Sequence, residues 1–155
     1  PRPPPDPIPT KGRDMPTTIT AADLRAGIEA FYAWHMQLLD DGRIEEWAAA
    51  FTQDGVFTAD GHPEPVSGRQ NILAASRQGA DKLAEAGIVR RHWLGMSDIR
   101  PDGGVVRVRS YALVFQASKG EGAALHASTT CEDVLVLDDG GSWRIRERVV
   151  RIDGA

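Results

Sequence analysis

The sequence predicts an α+β domain in which helices come first and an antiparallel sheet follows. Apolar side chains recur at helical spacing between residues 20 and 50. After Gly87 the pattern changes to two-residue alternation, and two hairpin signals, PDGG at 101–104 and DDGG at 138–141, divide the alternating region. The sheet must curl around the helices to bury both layers. This predicts a cone with a cavity between the sheet and the first helix.

Three helices are predicted in the first half of the chain. The hydroxyl of Thr20 can cap the first helix, which has Asp23 in its first turn and ends at the turn 41–42. A short second helix ends near Ala50, and the third covers Ile72 to Ala86. The inward stripe of the first helix consists of Leu24, Ile28, Phe31, Tyr32, His35, Leu38 and Leu39, with Trp34 at its edge.

Five strands are predicted. The first begins at 55–58, and the segment 61–68 that follows is interpreted as a loop because it contains Pro63 and Pro65. The remaining four lie at about Ile88–Ile99, Val105–Ser118, Ala123–Asp138 and Ser142–Ile152.

Composition limits the functional classes. A chain of 155 residues with 41% hydrophobic and 26% charged residues is typical of one globular domain. A net charge of −4 disfavours nucleic acid and anionic membranes as partners, and no apolar run reaches the roughly 20 residues of a membrane span. The single cysteine, Cys131, excludes an internal disulfide.

The first 18 residues differ from the rest, because seven of the ten prolines lie between Pro1 and Pro16. This segment is predicted to be a disordered tail, or sequence appended to the natural protein, and residues 19–155 form the domain. The tail lacks the apolar region of a signal peptide, so the expected location is cytoplasmic.

Several chemically active side chains fall on faces predicted to point inward. On the strand after Gly87, Arg90, His92, Leu94 and Met96 share one face. Alternation on the strand after Gly122 places a set of side chains inward and leaves His126 outward unless a bulge intervenes. The inward set is Leu125, Ala127, Thr129, Cys131, Asp133, Leu135 and Leu137.

The order and wording of these segments resemble the SnoaL-like polyketide cyclases of the NTF2-like superfamily, from about residue 20 to 153. The segments that carry the resemblance are FYAWHMQLLDDG, WAAAFTQDGVF, GRQNI, RRHWLGMSDI and CEDVLVLDDGGSWRIRERVV. The resemblance implies a cone of three helices packed in a curved, mostly antiparallel sheet. It also implies acid–base chemistry on a hydrophobic small molecule without a cofactor, and a homodimer formed through the outer face of the sheet. Trp93 and Ile99, placed opposite His92, are the side chains expected at that contact. The four histidines have no ligand spacing such as HxxxH, so no metal site is predicted.

The resemblance makes His92 the candidate proton-transfer base, since dehydratase and dehydrochlorinase relatives have a histidine at this strand position. Histidine titrates near neutral pH, which suits that role, although a hydrogen-bonded core histidine is the alternative. Those relatives orient the histidine with an aspartate on the first helix. The matching turn here, 32–35, reads YAWH and has no carboxylate, which argues against an aspartate-oriented base.

Other candidates carry open alternatives. His35 is either a second titrating group or a satisfied helix histidine packed on Leu39. Tyr32 and Tyr111 are candidate acids or plain packing, and Trp34 is either pocket wall or core. Arg148 matches a pocket-lining arginine of the dehydrochlorinase relative, but simple alternation turns it away from the cavity, so this role needs a bulge.

The strand after Gly122 supplies further pocket candidates. Thr129 and Cys131 are predicted pocket residues, and Asp133 is either a general base or the partner of an arginine.

The leading hypothesis is a cofactor-free cyclase or isomerase acting on a hydrophobic oxygenated intermediate, either a polyketide or a prenylated aromatic. His92, His35, Tyr32, Tyr111 and Arg148 are its candidate catalytic residues. The predicted substrate-binding residues are Trp34, Arg90, Met96, Thr129, Cys131 and Asp133. The alternatives are a non-catalytic small-molecule-binding accessory protein, and a dehydratase or epoxide hydrolase on the same fold.

Overall fold

A computed structural model describes residues 19–155; the tail prediction for residues 1–18 lies outside this range. Three helices and six strands follow one another along these residues in the order ααββαββββ. The helices are α1 (Ala21–Asp40), α2 (Ile44–Ala49) and α3 (Arg69–Glu85). The strands are β1 (Phe51–Ala59), β2 (Val66–Ser67), β3 (Ile88–Asp102), β4 (Val105–Ser118), β5 (Ala124–Leu137) and β6 (Trp143–Ile152).

Helix α1 has the predicted ends. The Oγ1 of Thr20 accepts a hydrogen bond from the backbone N–H of Asp23 at 3.0 Å, which satisfies a donor that the first turn leaves free. At the other end Gly42 adopts a φ of 72°, a left-handed conformation that suits glycine and turns the chain into α2.

The six strands form one mixed sheet in the order β2-β1-β6-β5-β4-β3. Strands β3 to β6 form the predicted antiparallel meander, and β1 adds to it in parallel with β6. The prediction missed β2 and the first half of β1. Phe51 pairs with Ile145 ahead of an irregular stretch that ends at Val56, so period-two alternation could not reveal this part of the strand.

The core lies between α1, α2 and the inner face of the sheet. Its largest fully buried side chains include Ile28, Leu38, Ile44, Phe51 and Leu135. Aromatic side chains from α1, α2 and β1 contact one another here, with Trp47 and Phe51 meeting edge to face at a centroid distance of 5.1 Å. This packing fixes the end of α1 against the sheet.

Bulges change which side chains face inward on three strands. In β3, one extra residue lies between Gly95 and Asp98, and Met96 takes a φ of 53° and is 83% exposed. The parity of the strand changes there, so Ile99 packs against the core. The prediction that Ile99 lies on the outer face with Trp93 is therefore wrong, whereas Trp93 is 71% exposed on that face.

The other two bulges lie on β5 and β6. On β5 the pairing passes from Val114↔Ala127 to Phe115↔Leu125 and leaves His126 as the extra residue. Leu125 is exposed, which corrects its predicted inward position. On β6 the extra residue is Arg146, between Ile145 and Glu147.

Within residues 19–155, no helix has the length and apolar character that crossing a membrane demands.

Candidate active site

The cone encloses a cavity of about 740 Å³ between α1, α3 and the inner face of the sheet. A second cavity of about 540 Å³ lies between α1 and β3. Both are lined by Met36, Asp40, His92 and Leu94, so this group of side chains separates the two spaces.

His92 is held by Asp40, the last residue of α1. One carboxylate oxygen of Asp40 lies 2.6 Å from Nδ1 of His92, and the other accepts the backbone N–H of His92 at 3.0 Å. The Asp40 side chain is 7% exposed and that of His92 22%. Because an ionised carboxylate only accepts hydrogen bonds, Nδ1 carries the proton and Nε2 of a neutral ring keeps its lone pair. Among the described residues nothing hydrogen-bonds Nε2.

This contact overturns the expectation that α1 lacks a carboxylate able to orient His92. The turn 32–35 has no carboxylate, but Asp40, further along the same helix, supplies one. Asp40 follows Met36 by four residues and Tyr32 by eight, so it continues one helical stripe towards β3. That spacing was the signal in the sequence that could have identified it.

A second polar cluster is buried beside the core. Nε and one terminal nitrogen of Arg148 donate to Asp133 at 2.8 and 2.6 Å, and the hydroxyl of Tyr32 donates to the same carboxylate at 2.8 Å. The side chains of Arg148 and Asp133 are 3% and 1% exposed. Of the two roles predicted for Asp133, the structure shows the pairing with an arginine.

The β6 bulge is what brings Arg148 inward, as its candidate role required. Ile145 and Arg148 both face the interior, although simple alternation would place them on opposite faces. Burial alone would lower the pKa of Arg148, but the adjacent Asp133 carboxylate outweighs it and the pKa lies above its ordinary value. Burial and the same carboxylate raise the pKa of the Tyr32 hydroxyl, so it stays protonated.

His35 belongs to the core. It is fully buried, its ring stacks between Phe31 and Trp47, and Nε2–H donates to the carbonyl of Trp47 at 3.0 Å. Burial, followed by the charge of Arg148, lowers its pKa well below the ordinary value. It lines neither cavity and packs among aromatic rings, which is the arrangement that the packed-histidine alternative predicts.

Three other candidates lie away from the main cavity. Trp34 packs on Phe31 and lines neither space. Tyr111 is 49% exposed on the outer face, with the guanidinium of Arg109 over its ring, and it lines neither cavity. Met96 borders only the smaller cavity because the β3 bulge turns it outward.

Three of the predicted binding residues do line the main cavity, whereas Asp133 lines neither space. Arg90, Thr129 and Cys131 lie on its sheet side. The Thr129 hydroxyl donates to the carbonyl of Ala112 at 2.8 Å, so it is already satisfied. Burial, reinforced by the charge of Asp133, raises the pKa of the Cys131 thiol and keeps it protonated.

Comparison with known proteins agrees with this architecture. The sequence model of the SnoaL-like domain family matches residues 20–149 of this chain. The chain belongs to the SnoaL-like domain family. No protein with a curated functional description matches it.

Two solved structures are similar to this SnoaL-like chain over most of its length. ActVI-ORFA from Streptomyces coelicolor is 29% identical with a TM-score of 0.79, over 86% of this chain and 98% of that one. A protein from Catenulispora acidiphila, solved in complex with S-DNPA, is 32% identical with a TM-score of 0.75, over 85% of this chain and 95% of that one.

A more distant structure supports the fold alone. An NTF2-like protein with a cystatin-like fold from Novosphingobium aromaticivorans is 21% identical with a TM-score of 0.69, over 89% of this chain and 94% of that one. The prediction of an NTF2-like α+β cone is confirmed.

Proposed function

We propose that this SnoaL-like protein is a cofactor-independent cyclase or isomerase acting on a hydrophobic, oxygenated intermediate of the polyketide or prenylated-aromatic kind. The observation that carries the proposal is the Asp40–His92 pair beside a largely apolar cavity of about 740 Å³. Family membership supports it, because the SnoaL-like domain matches residues 20–149 and this family includes cyclases.

His92 is the proton-transfer group of the proposed reaction. Nε2 accepts a proton from an acidic C–H or a hydroxyl of the substrate, while Asp40 stabilises the imidazolium that forms. The electron pair left on the substrate forms the new bond to an electrophilic carbon of the same molecule. The imidazolium then returns its proton to the oxygen or carbon that has gained charge, so substrate and product are isomers.

The cavity supplies the remaining requirements. Its apolar lining excludes water and holds a flexible chain in a folded form, which lowers the entropic cost of ring closure. Arg148 lines the cavity, and its positive charge is fixed in place by Asp133. Guanidinium N–H groups not used by that carboxylate are positioned to stabilise developing negative charge on a substrate oxygen.

A dehydratase is the second candidate, and the Asp40–His92 contact itself favours it. An aspartate-oriented histidine is the arrangement expected of the dehydratase relatives. In this case Nε2 removes a C–H proton, the C–O bond of a leaving hydroxyl breaks, and the imidazolium protonates that hydroxyl as water. The binding-only alternative loses its main support, which was the supposed absence of a helix carboxylate.

Turnover assays with hydroxylated aromatic polyketide intermediates, followed by mass spectrometry, test the proposal. We expect His92→Ala to lower kcat by about 10²- to 10⁴-fold, as removal of a general acid–base group does. Asp40→Asn should lower kcat in the same direction, whereas the matched control Asp41→Asn, whose carboxylate does not contact His92, should not. A product of unchanged mass indicates a cyclase or isomerase, and loss of one water indicates a dehydratase. Full activity of His92→Ala would contradict both.

We also propose a homodimer that uses the outer face of the sheet, where Trp93 is 71% exposed. Gel filtration with light scattering should give the mass of two chains, and Trp93→Glu should reduce it to that of one. A monomeric wild-type protein would overturn this part of the proposal.

A further inference from the structure

The charges that line the main cavity are unequally paired. Two of its three cations, Arg90 and Lys82, form no ion pair within residues 19–155, whereas Arg148 is neutralised by Asp133. Of its carboxylates, Asp40 is committed to His92, which leaves only Asp41 near the turn that ends α1. Arg90 therefore lies in the cavity wall without a carboxylate partner among the described residues.

Arg90 is held in the cavity wall by two neutral acceptors. Its Nε donates to the side-chain carbonyl of Gln116 at 3.1 Å, and one terminal nitrogen lies 3.0 Å from Nε2 of His126. Since a guanidinium can only donate, Nε2 of His126 is the acceptor and that ring is neutral. These contacts fix the direction of the guanidinium, use two of its five N–H groups and leave its charge uncompensated.

The β5 bulge creates this arrangement. His126 is the extra residue between Leu125 and Ala127, and the bulge turns its ring towards Arg90. Without the bulge, alternation would place His126 on the face opposite Ala127. A neutral imidazole and an amide thus orient the arginine where a carboxylate side chain would have neutralised it.

We propose that Arg90 is the anchor for a carboxylate of the substrate, assisted by Lys82 from α3. A planar guanidinium with free N–H groups matches a carboxylate, to which it can donate two parallel charge-assisted hydrogen bonds. The proposal rests on the proposed function, because it identifies the substrate of that same cavity as an aromatic or polyketide carboxylic acid.

The position of Arg90 also defines the geometry of that acid. Arg90 and His92 are two residues apart on the same face of β3, which separates their Cα atoms by about 7 Å. A substrate anchored at Arg90 therefore lies along the same cavity wall as His92.

Equilibrium binding of a matched probe pair tests the anchor. The probes are 2-naphthylacetic acid and its neutral isostere 2-naphthylacetamide, measured by isothermal titration calorimetry with the intact chain. The wild-type protein should bind the acid about tenfold or more tightly than the amide, a difference that one charge-assisted contact can supply. Arg90→Met should abolish the preference, and Arg90→Lys should retain part of it.

Arg91→Met is the matched control. Arg91 is the next residue on β3, points to the opposite face and does not line the main cavity, so its removal changes the net charge equally but should leave the preference intact. Thermal melting of each variant checks that it folds. Equal binding of acid and amide by the wild-type protein, failure of the acid to bind, or an acid preference that survives in folded Arg90→Met would each overturn the anchor.

The binding readout separates this inference from the proposed function. A non-catalytic protein with the anchor would still prefer the acid. An enzyme with the dyad but no anchor would lose turnover in His92→Ala and show no acid preference.

Discussion

Two carboxylates of this protein each hold a basic side chain, and their surroundings differ. Asp133 binds Arg148 and Tyr32 in an almost completely buried cluster, where every side chain is directed at another. Asp40 binds His92 at the wall of the cavity, where 22% of the histidine side chain stays exposed and Nε2 has no partner among residues 19–155.

The difference separates a fully buried ion pair from one that leaves a proton-accepting nitrogen accessible. A buried pair must satisfy its charges internally, so losing one member leaves the other desolvated and unpaired. The Asp40–His92 pair keeps one nitrogen available, and the loss of its carboxylate changes the tautomer of the ring more than the stability of the fold.

The largest effect should come from Asp133→Asn. Its removal leaves the Arg148 guanidinium buried without a counter-charge, and we expect unfolding to become easier by about 3–5 kcal/mol. Urea denaturation followed by tryptophan fluorescence measures this. Asp98→Asn, which breaks the exposed pair with Arg100, is the matched control and should change stability little.

Asp40→Asn should cost only about 1 kcal/mol, because it weakens hydrogen bonds without stranding a buried charge. The same urea titration provides the value. If Asp40→Asn proves as destabilising as Asp133→Asn, the distinction between the two carboxylates fails.

His35 should make the fold sensitive to acid. Its folded pKa is depressed, so the unfolded chain binds a proton that the folded chain does not. The free energy of unfolding is therefore unaffected by His35 above the ordinary histidine pKa of about 6.5. Below that pH it falls by up to about 1.4 kcal/mol per pH unit. Denaturation at pH 7, 6 and 5 should show this slope. His35→Gln should lower this slope by the amount that corresponds to about one bound proton. The control is His62→Gln, which removes an exposed histidine and should leave the slope unchanged. An unchanged slope in His35→Gln would contradict the burial assigned to this ring.

Cys131 should be inert in the folded protein. Its thiol is buried and its pKa is raised, so little thiolate is available at neutral pH. Mass spectrometry after iodoacetamide treatment should find the native chain unlabelled and the urea-unfolded chain fully labelled. Rapid labelling of the native chain would show that the cavity wall opens around Cys131.

Sequence patterns predicted the fold well because periodicity and turn chemistry are local. The Thr20 cap, the 41–42 turn and both diglycine hairpins are all found, and the elements between them follow the expected order. The missed strand β2 is only two residues long, between Pro65 and Gly68, and is too short to show alternation.

Site residues were harder to predict because bulges and long-range contacts decide them. One extra residue in β6 turns Arg148 inward, and one in β3 sends Met96 outward and Ile99 to the core. No window of alternating residues contains this information. Asp40 and His92 are 52 positions apart, so only the crossing of α1 over β3 reveals that they meet.

The nitrogen-15 NMR spectrum of the His92 ring at neutral pH tests most directly whether Asp40 prepares this histidine as a base. With Asp40 in place, the neutral ring should carry its proton on Nδ1 and give Nε2 the chemical shift of an unprotonated nitrogen. In Asp40→Asn the preference should weaken or reverse. A wild-type ring protonated on Nε2 would contradict the central claim that Asp40 holds His92 ready to accept a proton from the substrate.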